Sequence, residues 1–341
     1  MTTLAAYVPL AQGLATADQQ LRLGQAEPLG AGLKRVTLGQ FVHAAKGFFA
    51  GEGEFGPAVH EARKALKRVR ALLRLVRSEL PENICDFENQ SLRRVARTLS
   101  PIREAAAVTE AAILIRDLYG DMLAPGTFDE MVRGLIDRRD RIEIEALDDP
   151  RLVERLIRDL ERAHNRFAAW PTDGETREAY GLGIRDSYAA IRPGLHATYR
   201  IGRRNMVQAY DGGSAREFHS WRKRVKDLRH QMEFLVPLWP ETVTALASTL
   251  DRLGDLLGED HDLAETMELL GEKPEIAPNP RERSLFSALA NQRRRELRLA
   301  AEVLGRRVYA EKPASLTARF GEYWQGRSLA LEASVDTVFV Y

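Results

Sequence analysis

The sequence predicts an all-α protein made of two related helical halves. Three observations lead there. Apolar residues recur at helical spacing over long segments, while strand-like alternation is scarce. Pro and Gly punctuate the chain at intervals suited to helices. Two distant stretches also repeat each other: "VHEARKALKRVRALL" (59–73) and "FHSWRKRVKDLRHQM" (218–232).

Taken in order, the pattern predicts helices over 31–50, 57–79, 84–98, 101–120, 127–147, 150–169, 175–210, 215–238, 241–257, 260–271, 281–310 and 315–327. Pro57 fits a first turn, where its missing N–H would be unpaired anyway. Pro81, Pro101, Pro150 and Pro240 mark boundaries of the same kind. "DGGS" (211–214) and "GEKPEIAPNP" (271–280) read as loops, and "SVDTVFVY" reads as an extended tail.

The repeat runs residue by residue. His60 aligns with His219, Arg63 with Arg222, Lys64 with Lys223, Lys67 with Lys226 and Arg70 with Arg229, at a constant offset of 159. A second pair follows in the same order, "LSPIREAAAV" (99–108) against "LGEDHDLAET" (257–266), aligning Arg103 with His261 and Glu104 with Asp262. Two matched pairs at nearly one offset argue for duplication. The predicted halves are about 31–170 and 175–325, between an extension (1–30) and a tail (326–341).

Charge decides where to look for function. With 50 Lys and Arg against 49 Asp and Glu, no global excess points to nucleic acid or membrane. An electrostatic function must therefore come from segregated charge. The start of the chain has no basic segment leading into a long apolar one, and no apolar run approaches the ~18 residues of a span. The one cysteine, Cys85, reads as a small buried hydrophobe. These features suggest a soluble cytoplasmic protein.

The segregation is visible in the repeated helix. Val59, Ala62, Leu66, Val69, Leu73 and Val76 make an apolar seam, and every position one residue later is His60, Arg63, Lys67, Arg70, Arg74 or Arg77. The basic stripe thus lies about 100° from the seam, on its flank. In the second copy the seam is Phe218, Trp221, Val225, Leu228, Met232 and Leu235, and the stripe is His219, Arg222, Lys226 and Arg229. Solvated basic faces usually interleave Glu at i±4; here the first stripe holds no acid. Like charges at this spacing repel unless an anion neutralises them, so the flank predicts an anion-binding groove. Arg suits it, because guanidinium takes two phosphate oxygens at once. Arg97, with Arg93 and Arg94, and Arg200, Arg203 and Arg204 could join the surface. "NQRRRELR" (291–298) carries Glu296 and irregular spacing, and reads as a solvated face.

The duplicated His-x-x-Arg-Lys-x-x-Lys-x-x-Arg helix, the acidic position after each copy (Glu104, Asp262) and the Tyr199–Arg200 helix resemble the CHAD family, helical domains named for a characteristic histidine. The resemblance covers roughly 31–325. It implies two four-helix-like bundles related by an approximate two-fold axis. It also implies non-catalytic binding of inorganic polyphosphate in a basic central groove or pore, without a cofactor, by a cytoplasmic protein of a kind sometimes associated with polyphosphate granules. Carried over, the binding residues are His60, Arg63, Lys64, Lys67, Arg70, Arg74, His219, Arg222, Lys223, Lys226 and Arg229, followed by Arg97, Arg200, Arg203 and Arg204. This chain departs from the pattern in having Arg103–Glu104 and His261–Asp262 where an Arg–Asp pair is usual. Asp227 also interrupts the second stripe at the position of Arg68, so the second stripe is expected to be less positive. Some family members carry a triphosphate-hydrolysing CYTH domain; "RIEIEALDD" (141–149) has alternating acids but no Lys to complete that motif.

Three rivals remain. His261–Asp262 resembles the metal pair of HD-type phosphohydrolases, but its first-half counterpart is Arg103–Glu104, so a metal is not expected; His261 reads instead as a helix-start residue. A non-specific RNA binder would share the salt-dependent basic groove, but neither stripe interleaves the aromatics on which bases stack. A scaffold would pair the stripes with acidic surfaces such as "ETMELLGE" (265–272).

Overall fold

The computed structural model describes residues 21–49, 55–171 and 183–338. Among these the backbone forms eleven α-helices and no strand. They are α1 (Leu29–Lys46), α2 (Phe55–Leu75), α3 (Glu82–Thr98), α4 (Ser100–Tyr119), α5 (Asp129–Leu147), α6 (Pro150–Ala168), α7 (Tyr188–Gly212), α8 (Ala215–Leu235), α9 (Pro240–Glu272), α10 (Pro280–Val308) and α11 (Pro313–Val338). Their starts follow local chemistry. Ser214 and Glu217 cap α8 reciprocally, each side chain taking the other's backbone N–H. Asp149 and Asn279 accept from the N–H groups of Arg151 and Arg281 at the starts of α6 and α10. Pro101, Pro150 and Pro240 sit in first turns, as expected.

The predicted helices differ from the observed ones at α9, α11 and α7. No break separates 241–257 from 260–271: α9 runs through both, so His261 lies mid-helix and not at a helix start. The counterpart junction in the first half does break, at Leu99, where Pro101 opens α4. α11 continues past 327 to Val338, so 334–338 of the expected extended tail is helical, and 339–341 lies outside the described residues. α7 starts at Tyr188; the expected start at 175 also lies outside them.

Two apolar clusters form the interior. The larger joins α1, α2, α3, α6, α7, α8 and α11 with the first part of α9 and the end of α10. Both predicted seams are in it, with Val59, Val69, Trp221 and Val225 at 0% exposure. The smaller joins α4, α5, the end of α9 and the start of α10. A polar layer divides them. Along α4 the first cluster ends at Ile102 and the second begins at Val108, with Arg103 and Glu104 between. Along α9 the limits are Leu257 and Leu263, with Asp260, His261 and Asp262 between.

One end of this layer is structural. Buried Asp260 takes Arg294 Nε at 3.0 Å and Arg298 Nε at 2.8 Å, while Glu259 takes Arg293 Nε at 2.7 Å. Arg298 also lies over the Phe218 ring. "NQRRRELR" is therefore not a solvated face; it clamps α10 onto α9. Residues 21–28, expected in an N-terminal extension, join the fold: Leu23 N–H donates to Phe234 O, and Arg327 donates to the carbonyls of Gly24 and Glu27.

Candidate polyanion-binding site

The two basic helices, α2 and α8, pack against each other. The seam that buries one side of each helix forces its flank toward the other. Gln231 locks the crossing, its amide donating to Ala71 O and Thr198 Oγ1, each at 3.1 Å. Gly194 lets α7 close on the end of α2; a Cβ there would sit 2.1 Å from Leu75 O.

Lys67 lies at the centre. Its cationic neighbours are Lys226 and Arg222 from α8, Arg63 from its own helix and Arg103 from α4. Lys67 stays accessible to water although protein surrounds it on most sides. Desolvation, then repulsion from Lys226, pushes its ammonium down to about 7. Lys226 is pushed down to about 8, by burial and then by Arg222, against the pull of Asp262 and Asp255. The repulsion between the two lysines belongs to both, and it falls on whichever loses its proton first.

The flanking arginines are held differently in the two halves. Arg63 Nη1 donates to Ala96 O and, at 2.7 Å, to Ser100 Oγ at the α3–α4 junction. The residue aligned with Ser100 is Gly258, which offers Arg222 no acceptor. Arg222 has Asp262 Oδ1 at 3.9 Å and a buried Nε without a partner. Burial pushes Asp262 up from the usual carboxylate range despite Arg222, Arg103 and Lys226.

Both histidines border this cluster. His219 packs against His261, the rings tilted by 37° with centroids 4.0 Å apart, beside Lys223, Arg222 and Lys67. Desolvation and those cations push His219 down to about 4 and His261 to about 3, so both are neutral donor–acceptors at pH 7. His261 Nε2 lies 3.4 Å from Glu265 Oε1. His60, half exposed, has Arg103 where His219 has His261, and its pKa is lowered by burial and by that arginine.

Beyond the centre the predicted residues divide. Arg70 reaches Asn89 Oδ1 at 2.9 Å and has Arg74, Asp227, Arg93 and Arg224 around it. Arg74 pairs with Asp227 at 3.2 Å. Lys223 is exposed beside Arg224 and Arg93. Lys64 pairs with Glu61 at 3.4 Å, and Arg229 is neutralised by Asp251 at 2.7 Å and Glu233 at 2.9 Å. Arg77 falls outside α2 and pairs with Glu82 and Asp86. Arg97, Arg200, Arg203 and Arg204 are exposed and are not among the main charged neighbours of Lys67 or Lys226, and Arg203 donates to Tyr309 O at 3.2 Å. Residue selection from the sequence missed Arg103 and Arg224. Arg103 had a signal, its alignment with His261; Arg224 had none, because Ala65 occupies its place in the first copy.

A model of the CHAD domain matches residues 38–271, about two thirds of the chain. The chain belongs to the CHAD family. The match takes in both CHAD basic helices, their crossing and all of the polar layer on α4 and α9. Among curated proteins none matches the chain. No helix among the described residues is long and apolar enough to cross a membrane. Nor do three or more His, Cys, Asp or Glu side chains gather among them as a metal-holding group, and His261 faces His219 and Glu265.

Proposed function

We propose that this CHAD protein binds inorganic polyphosphate without chemical turnover, in the cleft where α2 and α8 cross. The observation that carries the reading is the gathering of Lys67, Lys226, Arg63, Arg103 and Arg222 around water-accessible space. Such a cluster strains the free protein, and a linear polyanion relieves it. The guanidiniums of Arg63, Arg103 and Arg222 take phosphate oxygens in pairs, the lysines act as point charges, and neutral His60 and His219 donate one N–H each. Family membership supports the ligand class. Nucleic acid fits less well, because Phe218 and Trp221 are buried in the seam and offer bases no platform.

The domain in this reading extends beyond the family match, through α10 and α11. Leu304, Val308, Leu316 and Phe320 share the larger apolar cluster with both basic helices. The aligned contacts across the crossing support two duplicated halves about an approximate two-fold axis. A cytoplasmic location, at polyphosphate granules where these form, follows from the ligand.

Binding of long-chain polyphosphate, single-stranded RNA and poly-glutamate, each at two salt concentrations, tests the function. Polyphosphate is expected to bind tightest, and charge reversal at Arg63, Lys67, Arg222 and Lys226 to abolish the preference. Equal binding of all three, or binding indifferent to those reversals, overturns it. Phosphate release from polyphosphate by the wild-type protein overturns the non-catalytic part.

A further inference from the structure

The two flanks of the crossing are chemically unlike. Arg68 and Arg70 are two residues apart on α2 and so point about 200° apart. Around Arg70 stand Arg74, Arg93 and Arg224, with Asp227 as the carboxylate among its main charged neighbours. Lys223 stands beside Arg224 and Arg93, and it also borders the His219–His261 pair. Around Arg68 stand Glu233, Arg229, Glu61 and Asp251. Each cation on that second flank has a carboxylate at hand: Lys64 has Glu61, Arg68 has Glu233, and Arg229 has Glu233 and Asp251.

We propose that a bound polyanion leaves the central lysines in one direction only, along a track made by Arg70, Arg93, Lys223 and Arg224, while the opposite flank stays closed to it. The proposal rests on the polyphosphate-binding reading and adds a polarity to it. An anion moving from Lys67 toward Arg70 meets five cations, counting Arg74, against Asp227. Moving toward Arg68, it meets paired charges and the carboxylates of Glu61, Glu233 and Asp251. Phosphate there would have to displace the carboxylates that already hold Arg229 at 2.7–2.9 Å. On the open flank, Arg93 is exposed, and Lys223 is pushed below its ordinary value by burial and by Arg224 and Arg93. The track therefore gives a chain longer than the central cleft a continuation on α2, α3 and α8, and it makes chain length a determinant of affinity.

Arg93, on the open flank, and Arg68, on the closed one, serve for the test. Arg93→Gln and Arg68→Gln are compared with wild type for binding of tripolyphosphate and of long-chain polyphosphate over a salt series. Arg93→Gln is expected to weaken the long chain several-fold, to flatten the log–log salt slope by about 0.7, and to leave tripolyphosphate unchanged. Arg68→Gln is expected to leave both ligands unchanged. Equal losses in the two variants, or a long-chain affinity indifferent to Arg93→Gln, overturn the polarity while the central site stands. Wild-type protein that binds no polyphosphate overturns both. Melting curves of the free variants confirm that each is folded.

Discussion

Polyphosphate affinity is expected to fall as pH rises from 6 to 8, and Lys67 is the reason. In the free protein its ammonium titrates at about 7 and that of Lys226 at about 8. A polyanion between them restores both to the ordinary lysine range, so binding takes up protons wherever the free site has lost them. For Lys67 the protonated fraction drops from about nine tenths at pH 6 to about one tenth at pH 8, which weakens binding about tenfold; Lys226 adds a factor of about two. Together that is about 20-fold, or ~1.8 kcal/mol. Titration calorimetry in two buffers of different ionisation enthalpy measures the affinity and the proton uptake together. Long chains are used so that titrating terminal phosphates are a small part of the ligand. Lys67→Arg keeps its charge at every pH tested, and is expected to remove most of the slope while preserving affinity at pH 6. Affinity that is flat from pH 6 to 8, or a Lys67→Arg slope equal to wild type, refutes the reasoning.

The free protein should respond to pH in the matching sense. Lys67 and Lys226 bind fewer protons folded than unfolded between pH 7 and about 10, so stability rises with pH across that window, and melting temperature at pH 7 and 9 reads it. His219 and His261, lowered to about 4 and 3, make the fold lose stability as pH falls below about 6.5, and added polyphosphate should offset the loss. Asp227→Asn leaves Arg74 and Arg224 without their carboxylate; it should cost about 1–3 kcal/mol in chemical denaturation and tighten polyphosphate binding. Leu228→Ala in the second seam, 1% exposed, should cost about 2–5 kcal/mol and leave the salt slope of binding unaltered.

Much of this architecture is local in origin, and that part was legible in the sequence. The seam from Val59 to Leu73 and its copy from Phe218 to Leu235 are buried because 3.6-residue spacing puts each set on one side of its helix. The basic flank follows from the same arithmetic. The continuity of α9 was hidden. Gly258 and the polar run after it resemble a break, but Gly258 packs beside the Arg222 guanidinium and the run is a charged layer between two apolar clusters. Helical propensity lost at one glycine, about 1 kcal/mol, is small against the packing on either side. Partners across the crossing were hidden for another reason. Whether Arg74 meets Asp227, or Arg229 meets Asp251, depends on how two helices cross, and no spacing along one chain contains that.

The offset of 159 explains why charge concentrates where it does. Lys67 faces Lys226, which is its own counterpart. In the proposed two-fold arrangement a residue on the axis meets its own copy, so a basic residue there meets a basic residue, and only a bound anion can neutralise the two together. Residues off the axis meet different positions, and those can diverge. Arg74 pairs with Asp227 at 3.2 Å, and Arg68 lies 3.9 Å from Glu233. Asp227 is the counterpart of Arg68, and Glu233 of Arg74, so the two contacts are one contact with its charges exchanged. This exchange holds the crossing together without a ligand. It also removes positive charge from one flank alone, since Glu233 takes up Arg68 and Arg229 while Asp227 faces a surplus of arginines. Glu233→Arg with Asp227 intact should therefore open the closed flank: Arg68→Gln, silent in the wild type, should then weaken long-chain polyphosphate binding as Arg93→Gln does. An Arg68→Gln that stays silent in that background would show that something other than charge pairing closes the flank.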